Sequence, residues 1–192
     1  MKEPLSKPRV TGRRLLVQTG VFRVEELDLE FSNGERRRYE RLLGSEGGAV
    51  LVVPVPDPGT ILLIREYAAG MDRYELAFPK GRVEPGEDTL AAAAREIREE
   101  TGYGASRLEH LQSVTLAPGY LRHTTHIVLA RDLYPDPLPG DEPEPIEVVP
   151  WPLARFEELL GRDDFTEARS IAALYRVRDR LQNERTLGGD GT

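Results

Sequence analysis

The residues best suited to chemistry cluster between Gly81 and Tyr103, in the run GRVEPGEDTLAAAAREIREETGY. Gly81 and Glu87 fall in a loop punctuated by Pro85 and Gly86, and Arg95, Glu96, Glu99 and Glu100 follow on a stretch with helical character. At about 100° per residue, Glu96, Glu99 and Glu100 share one third of a helix circumference. Leu90, Ala93, Ala94 and Ile97 form the adjoining apolar stripe by which the helix would be buried. Crowded carboxylates repel, at a cost of about a few tenths of a kcal/mol per helix pair. A divalent cation reverses that penalty, because hard cations favour oxygen ligands. A cation held there could act as a Lewis acid and generate a nucleophilic water. A merely solvated charged face would leave the loop glycines and the spacing without a reason.

This arrangement resembles the Nudix box, the signature of hydrolases acting on nucleoside diphosphates linked to another group. Gly81, Glu87, Arg95, Glu96, Glu99, Glu100 and Gly102 match it, and Tyr103 departs from it, standing where a branched aliphatic residue is usual. The resemblance implies a metal site made of Glu96, Glu99, Glu100 and the carbonyl of Lys80. Mg²⁺ is the expected ion, and Mn²⁺ suits the same oxygens. Gly81 lets the backbone approach closely. Glu87 and Arg95 brace the loop against the helix through a salt bridge, and Gly102 is placed to end the helix. Arg82 and Arg98 read as solvated or phosphate-facing side chains.

Hydrolysis also needs a group that takes a proton from the attacking water. In ADP-ribose-cleaving members of the family a glutamate from an acidic loop downstream of the box does this. The segment Gly140-Asp141-Glu142-Pro143-Glu144-Pro145 stands in the corresponding place, with Glu144 the first candidate and Glu142 the second. A metal-bound carboxylate such as Glu99 is the alternative base, and a solvated acidic loop the bland reading. Pro118 stands at the distance beyond the box that marks ADP-ribose pyrophosphatases, and Tyr120 near the tyrosine of diadenosine polyphosphate hydrolases. DLEFSNGERRRYER, YELAFPKG and LARDLYPDPLPGDEPEPIEVVPWPL also resemble the branch acting on ADP compounds. That implies cleavage of ADP-ribose, NADH and diadenosine di- and triphosphate to AMP and a second phosphorylated product. The alternatives are a narrow ADP-ribose pyrophosphatase, a diadenosine polyphosphate hydrolase or a nucleoside triphosphate pyrophosphohydrolase. Arg65 is a candidate phosphate contact. Tyr67, Tyr74 and Phe78 could stack adenine but fit a core equally well.

The remaining sequence sets the frame. The chain has 192 residues, a 39% hydrophobic fraction, a net charge of −7 and no cysteine. That balance argues against a nucleic-acid binder, and the lack of cysteine excludes disulfides, zinc ribbons and thiol catalysis. No apolar run fits a signal peptide or a membrane span, so a cytoplasmic location is expected. His110, His123 and His126 read as surface or loop residues.

Residues 20–43 read as a hairpin turning at Asn33-Gly34, with Leu27, Leu29 and Phe31 alternating against charged neighbours. Ala49–Pro56 and Thr60–Arg65 read as a second strand pair around Asp57-Pro58-Gly59, with AVLVVPV a central strand. Asp88 is a candidate N-cap for a helix from Thr89 to about Glu100. Further strands are expected at Leu111–Leu116, Thr124–Ala130 and Glu147–Trp151, an irregular loop at 135–145, and helices at Pro152–Leu160 and Phe165–Asn183. The expected class is α/β: a Nudix fold, an α/β/α sandwich of mixed sheet between helices, with an N-terminal β-hairpin extension. The divisions are 1–46 for that extension, 47–185 for the hydrolase domain and 186–192 for a flexible tail. A homodimer is expected through the hairpin, whose apolar face needs a partner, with Phe22 or Phe31 reaching the neighbour's adenine pocket.

Overall fold

The computed structural model describes residues 6–140 and 142–188. The chain divides into two units. One holds the residues up to Glu46 together with Thr115–His123; the other holds Gly47–Val114 and the chain from Thr124 onward.

The larger unit is organised around β4 (Ala49–Val55), whose sequence AVLVVPV is buried along nearly its whole length. β4 runs between β7 (Lys80–Arg82) and β10 (Thr125–Pro135), and β8 (Tyr103–Val114) completes a four-stranded sheet in the order β7-β4-β10-β8. The β4–β10 pairing is parallel and the other two are antiparallel. Val50 and Val52 face one side with Val128 and Ala130, where α1 (Thr89–Thr101) packs through Ala92, Ala93 and Ile97. Small alanines let the helix approach the sheet closely. Leu51, Val53, Ile127 and Leu129 face the other side and meet a second sheet, β11-β5-β6, built from Glu147–Pro152, Thr60–Ala68 and Arg73–Ala77. Phe156 and Leu159 of α2 (Phe156–Leu160) and Ala173, Leu174 and Val177 of α3 (Ala168–Gly188) close that core. The order expected from the sequence, box helix on one side and C-terminal helix on the other, is present.

Two local expectations are corrected. β4 and β5 do not form a ladder with each other. The turn at Asp57-Pro58-Gly59 exists, with Asp57 Oδ1 accepting from the Gly59 N–H at 2.9 Å, but the strands part into different sheets after a bridge between Asp57 and Thr60. Pro54, Pro56 and Pro58 lack the donors a hairpin ladder requires, and two strands apolar on both faces are buried better by stacking sheets. The apolar stripe of α1 is also shifted. Leu90 is exposed, and Ala92, Glu96 and Glu100 lie on the buried side instead.

β8 carries a bulge opposite Ile127 and Val128, which leaves Leu111 unpaired. His110 and Ser113 thereby share a face, and the Ser113 hydroxyl lies 3.0 Å from His110 Nε2 and 2.8 Å from His126 Nδ1. His110 is exposed, as expected, His126 is half-buried, and both stand on strands rather than loops. α3 runs on to Gly188, while residues 189–192 of the expected tail lie outside the described residues. No helix among the described residues is long and apolar enough to cross a membrane.

The smaller unit is a sheet in the order β1-β2-β3-β9, from Arg9–Gln18, Arg23–Glu30, Arg36–Leu43 and Leu121–Arg122. The hairpin expected between residues 20 and 43 is β2–β3, and Gly34 takes the positive φ its turn requires, 83°. β1 was not legible, because RVTGRRLLVQ has no clean alternation and its register slips twice. Cross-strand ion pairs cover this sheet, among them Arg14–Glu26, Arg36–Glu30 and Arg41–Glu25. The exposed apolar side chains are not those expected. Leu27 is buried and Leu29 and Phe31 are half-buried, whereas Leu15, Leu16, Val17, Val21 and Phe22 are exposed.

Candidate active site

The site begins with a close approach. β7 pins Gly81 opposite Val50, and the carboxylate of Glu96 lies directly over it. A Cβ on Gly81 would stand 2.0 Å from Glu96 Cδ, so any side chain there would have to push the Glu96 carboxylate aside. The loop then turns through Gly86, at a φ of 81°, and hands over to α1. Asp88 caps that helix, its side chain accepting from the Leu90 and Ala91 N–H groups, and Gly102 ends it at a φ of 76°.

Arg95 organises the acidic face. Its Nε and Nη2 each donate to Glu87 at 3.0 Å, and Nη2 also reaches the Arg82 carbonyl at 2.9 Å. Its Nη1 donates to Glu96 at 2.6 Å and to Glu99 at 3.1 Å. The Arg95 guanidinium holds the Glu87 carboxyl below its ordinary range. Glu87 also accepts from the Glu84 N–H at 3.0 Å, which ties the loop to the helix. Glu100 accepts from the Lys80 N–H at 3.0 Å. Burial pushes the Glu100 carboxyl up to about 8, against the pull of the Lys80 charge and amide, and Glu96 and Glu66 raise it further. Lys80 Nζ pairs with Glu66 at 2.8 Å.

A cleft of about 790 Å³ opens on this face. Lys80, Gly81, Arg95, Glu96, Glu99, Glu100 and Gly102 line it from the box. Gly140, Glu142, Pro143, Glu144 and Pro145 line it from the loop after β10; Asp141 lies outside the described residues. The Glu144 carboxylate accepts from the Tyr74 hydroxyl at 2.5 Å. The donors along the box wall are oxygens, and the burial that disfavours charge on Glu100 would be offset by a cation nearby. By that chemistry they fit a divalent metal. As they stand they are spread over Arg95 and the Lys80 amide, and no group of three metal-binding side chains is gathered among the described residues.

Other sequence candidates fall elsewhere. Arg65 is not a lining residue of the cleft. Its Nε bonds Glu147, at the start of β11, at 2.9 Å, and its Nη1 bonds Asp164, between α2 and α3, at 2.8 Å. Pro118, Tyr120 and Phe31 belong to the smaller unit, where Pro118 and Tyr120 line a groove with Leu27, Leu29 and Tyr39. The ring of Phe31 leans on Tyr39, with centroids 6.4 Å apart. Phe78 is core, packed edge-on against Phe165. Arg98 pairs with Asp136 at 2.9 Å. Sequence reasoning missed Glu66, the partner of Lys80, and the link from Tyr74 to Glu144. Both depend on contacts between distant segments, and no local spacing announces them.

A NUDIX domain model matches residues 46–174, and a model of the NudE-type Nudix hydrolase N-terminal domain matches residues 8–41. The chain is 46% identical to the ADP compounds hydrolase NudE of Escherichia coli, over 96% of this chain and 98% of that protein. It is 32% identical to the ADP-sugar pyrophosphatase of Mus musculus, over 87% of this chain and 85% of the relative. It is 28% identical to the ADP-ribose pyrophosphatase of Bacillus subtilis, over 82% and 86%. A crystal structure of ADP compounds hydrolase superposes with a TM-score of 0.88 at 46% identity, covering 95% of this chain and 98% of that one.

Proposed function

The chain belongs to the Nudix hydrolase family, and from that premise we propose that it cleaves the pyrophosphate bond of ADP-linked compounds. The compounds are ADP-ribose, NADH and diadenosine di- and triphosphate, and the products are AMP and a second phosphorylated species. One observation carries this reading: three box glutamates and two loop glutamates line a single cleft of a size suited to a nucleotide. The names of the bacterial and mammalian relatives support the choice of ADP compounds.

Glu96, Glu99, Glu100 and the Lys80 carbonyl would hold Mg²⁺, or Mn²⁺ with the same oxygens. A bound ion supplies charge neutralisation at the phosphates and an acidified water. The chain's own groups do the rest. Arg95 fixes Glu96 and Glu99 on one side, and Gly81 gives Glu96 its room. Glu144 takes the proton of the attacking water, with Glu142 beside it on the same loop and Glu99 as the alternative base. These metabolites are intracellular, so the cytoplasm is the compartment this reading assigns.

The test is a panel of ADP-ribose, NADH, diadenosine triphosphate and nucleoside triphosphates, with Mg²⁺ and again after EDTA. AMP release from ADP compounds that stops in EDTA is the expected result. No AMP from any ADP compound, or undiminished release in EDTA, overturns the proposal. Turnover of ADP-ribose alone narrows it to an ADP-ribose pyrophosphatase.

A homodimer is part of the same reading. β1 is an outer strand of its sheet, and it carries exposed Leu15, Leu16 and Val17, with Val21 and Phe22 at its turn. An apolar edge of this kind invites pairing with a second copy. Sedimentation of the intact chain reads the answer. A fully active monomer at assay concentration rules the dimer out.

A further inference from the structure

Tyr74 stands on β6 opposite Tyr67 of β5, and the two rings meet edge to face with centroids 5.6 Å apart. Tyr67 donates its hydroxyl to Asp72 Oδ1 at 2.5 Å, and Asp72 holds the turn between the strands at a φ of 54°. The pair of tyrosines is thus fixed from the turn outward. From that base the Tyr74 hydroxyl donates to Glu144 Oε1.

Glu144 itself has little else to direct it. It is exposed on a segment without helix or strand, between Pro143 and Pro145. The prolines narrow the backbone but contribute no N–H. A carboxylate has two oxygens, and a bond to Oε1 leaves Oε2 to accept a proton from water. A general base must stand within hydrogen-bond reach of that water, and an unanchored side chain on a loop would sample many directions.

We propose that Tyr74 is a positioning residue, which aims the Glu144 carboxylate into the cleft and holds one of its oxygens so that the other meets the attacking water. This inference rests on the reading of Glu144 as general base. The hydrogen bond to Glu144, and then its charge, raise the Tyr74 phenol above its ordinary value, so Tyr74 remains a donor through the neutral range.

The experiment compares Tyr74→Phe with Glu144→Gln in the intact, metal-loaded protein. Tyr74→Phe keeps the ring against Tyr67 and is expected to lower kcat roughly 10-fold with KM changed less than about 2-fold, as for a misplaced catalytic group. In protein labelled with ¹³C at the tyrosine ring, Glu144→Gln is expected to return the Tyr74 ionisation toward that of a free phenol. Full kcat in Tyr74→Phe beside an impaired Glu144→Gln overturns the positioning role and leaves Glu144 as base. A raised KM at unchanged kcat overturns it too, making Tyr74 a substrate contact. Full kcat in Glu144→Gln overturns both readings.

Discussion

The cleft has two acidic walls, and they are made of the same amino acid under opposite conditions. On the helix wall Glu96 and Glu100 are buried, capped helix geometry sets their spacing, and Arg95 and the Lys80 amide hold them. On the loop wall Glu142 and Glu144 are exposed, Glu144 stands between two prolines, and it takes its direction from a tyrosine on β6. The first wall is costly to leave uncompensated, since carboxylates are being kept from water. The second is inexpensive to maintain and easy to misdirect. Burial suits a group that must hold a cation, and exposure suits one that must trade a proton with water.

The largest effect is expected on the loop wall. Glu144→Gln should lower kcat by about 10²–10⁴-fold while metal affinity stays near its normal value. If Glu142→Gln shows the loss instead, the base moves along the same wall. If neither variant does, the proton work belongs to the helix wall and the comparison breaks.

Next comes Glu100→Gln, expected to cost about 10²-fold in kcat through weakened metal binding. Burial already favours the neutral form of Glu100, so the amide should fold at least as well as the parent without metal. Wild-type turnover of this variant in excess Mg²⁺ would remove Glu100 from the metal site.

Gly81→Ala tests the packing behind that wall. The new methyl group would meet the Glu96 carboxylate, so stability should fall by about 1–3 kcal/mol, read from the denaturant midpoint, with turnover falling alongside. An unchanged midpoint would show that Glu96 has room to spare.

The smallest effect concerns Asp164, which shares Arg65 with Glu147 at the start of β11. Arg162 first, and Arg65 next, hold the Asp164 carboxyl down to about 2, below its ordinary value of 3.8. A depressed carboxyl stabilises the fold above its unfolded value, and that contribution is lost as pH falls from about 3.8 toward 2. Asp164→Asn should flatten the acid-unfolding profile in this window by about 1 kcal/mol or less, given solvent screening. An unaltered profile would mean that the pairs of Asp164 with Arg162 and Arg65 contribute nothing measurable to stability.

The two walls also differ in how far the sequence revealed them. Helix-wall residues are neighbours along one helix, so their spacing carried the cap at Asp88, the stop at Gly102 and the shared face of the three glutamates. The loop wall could be located by its composition, but the partner of Glu144 could not, because Tyr74 meets it only once β6, β5 and β11 have come together in one sheet. For the same reason the strands flanking Asp57-Pro58-Gly59 looked like a hairpin. Local turn chemistry was right there, and the long-range choice of partner was invisible. β1 stayed hidden because its charges pair across strands rather than alternate along one.

The parallel pairing of β4 with β10 sets residue 49 beside residue 125, and everything in the core of the larger unit leans on it. Closing so long a stretch of chain comes before any contact rewards it, which makes such topologies slow to fold. On the ribosome the whole acidic helix emerges before the strand that completes its supporting sheet. Until β10 arrives, Val50 and Val52 lack a neighbour on that side, and α1 has only part of a surface to rest on. The protein therefore gains its cleft late in synthesis, first when β10 completes the sheet under α1 and then when the loop that follows β10 closes the other wall.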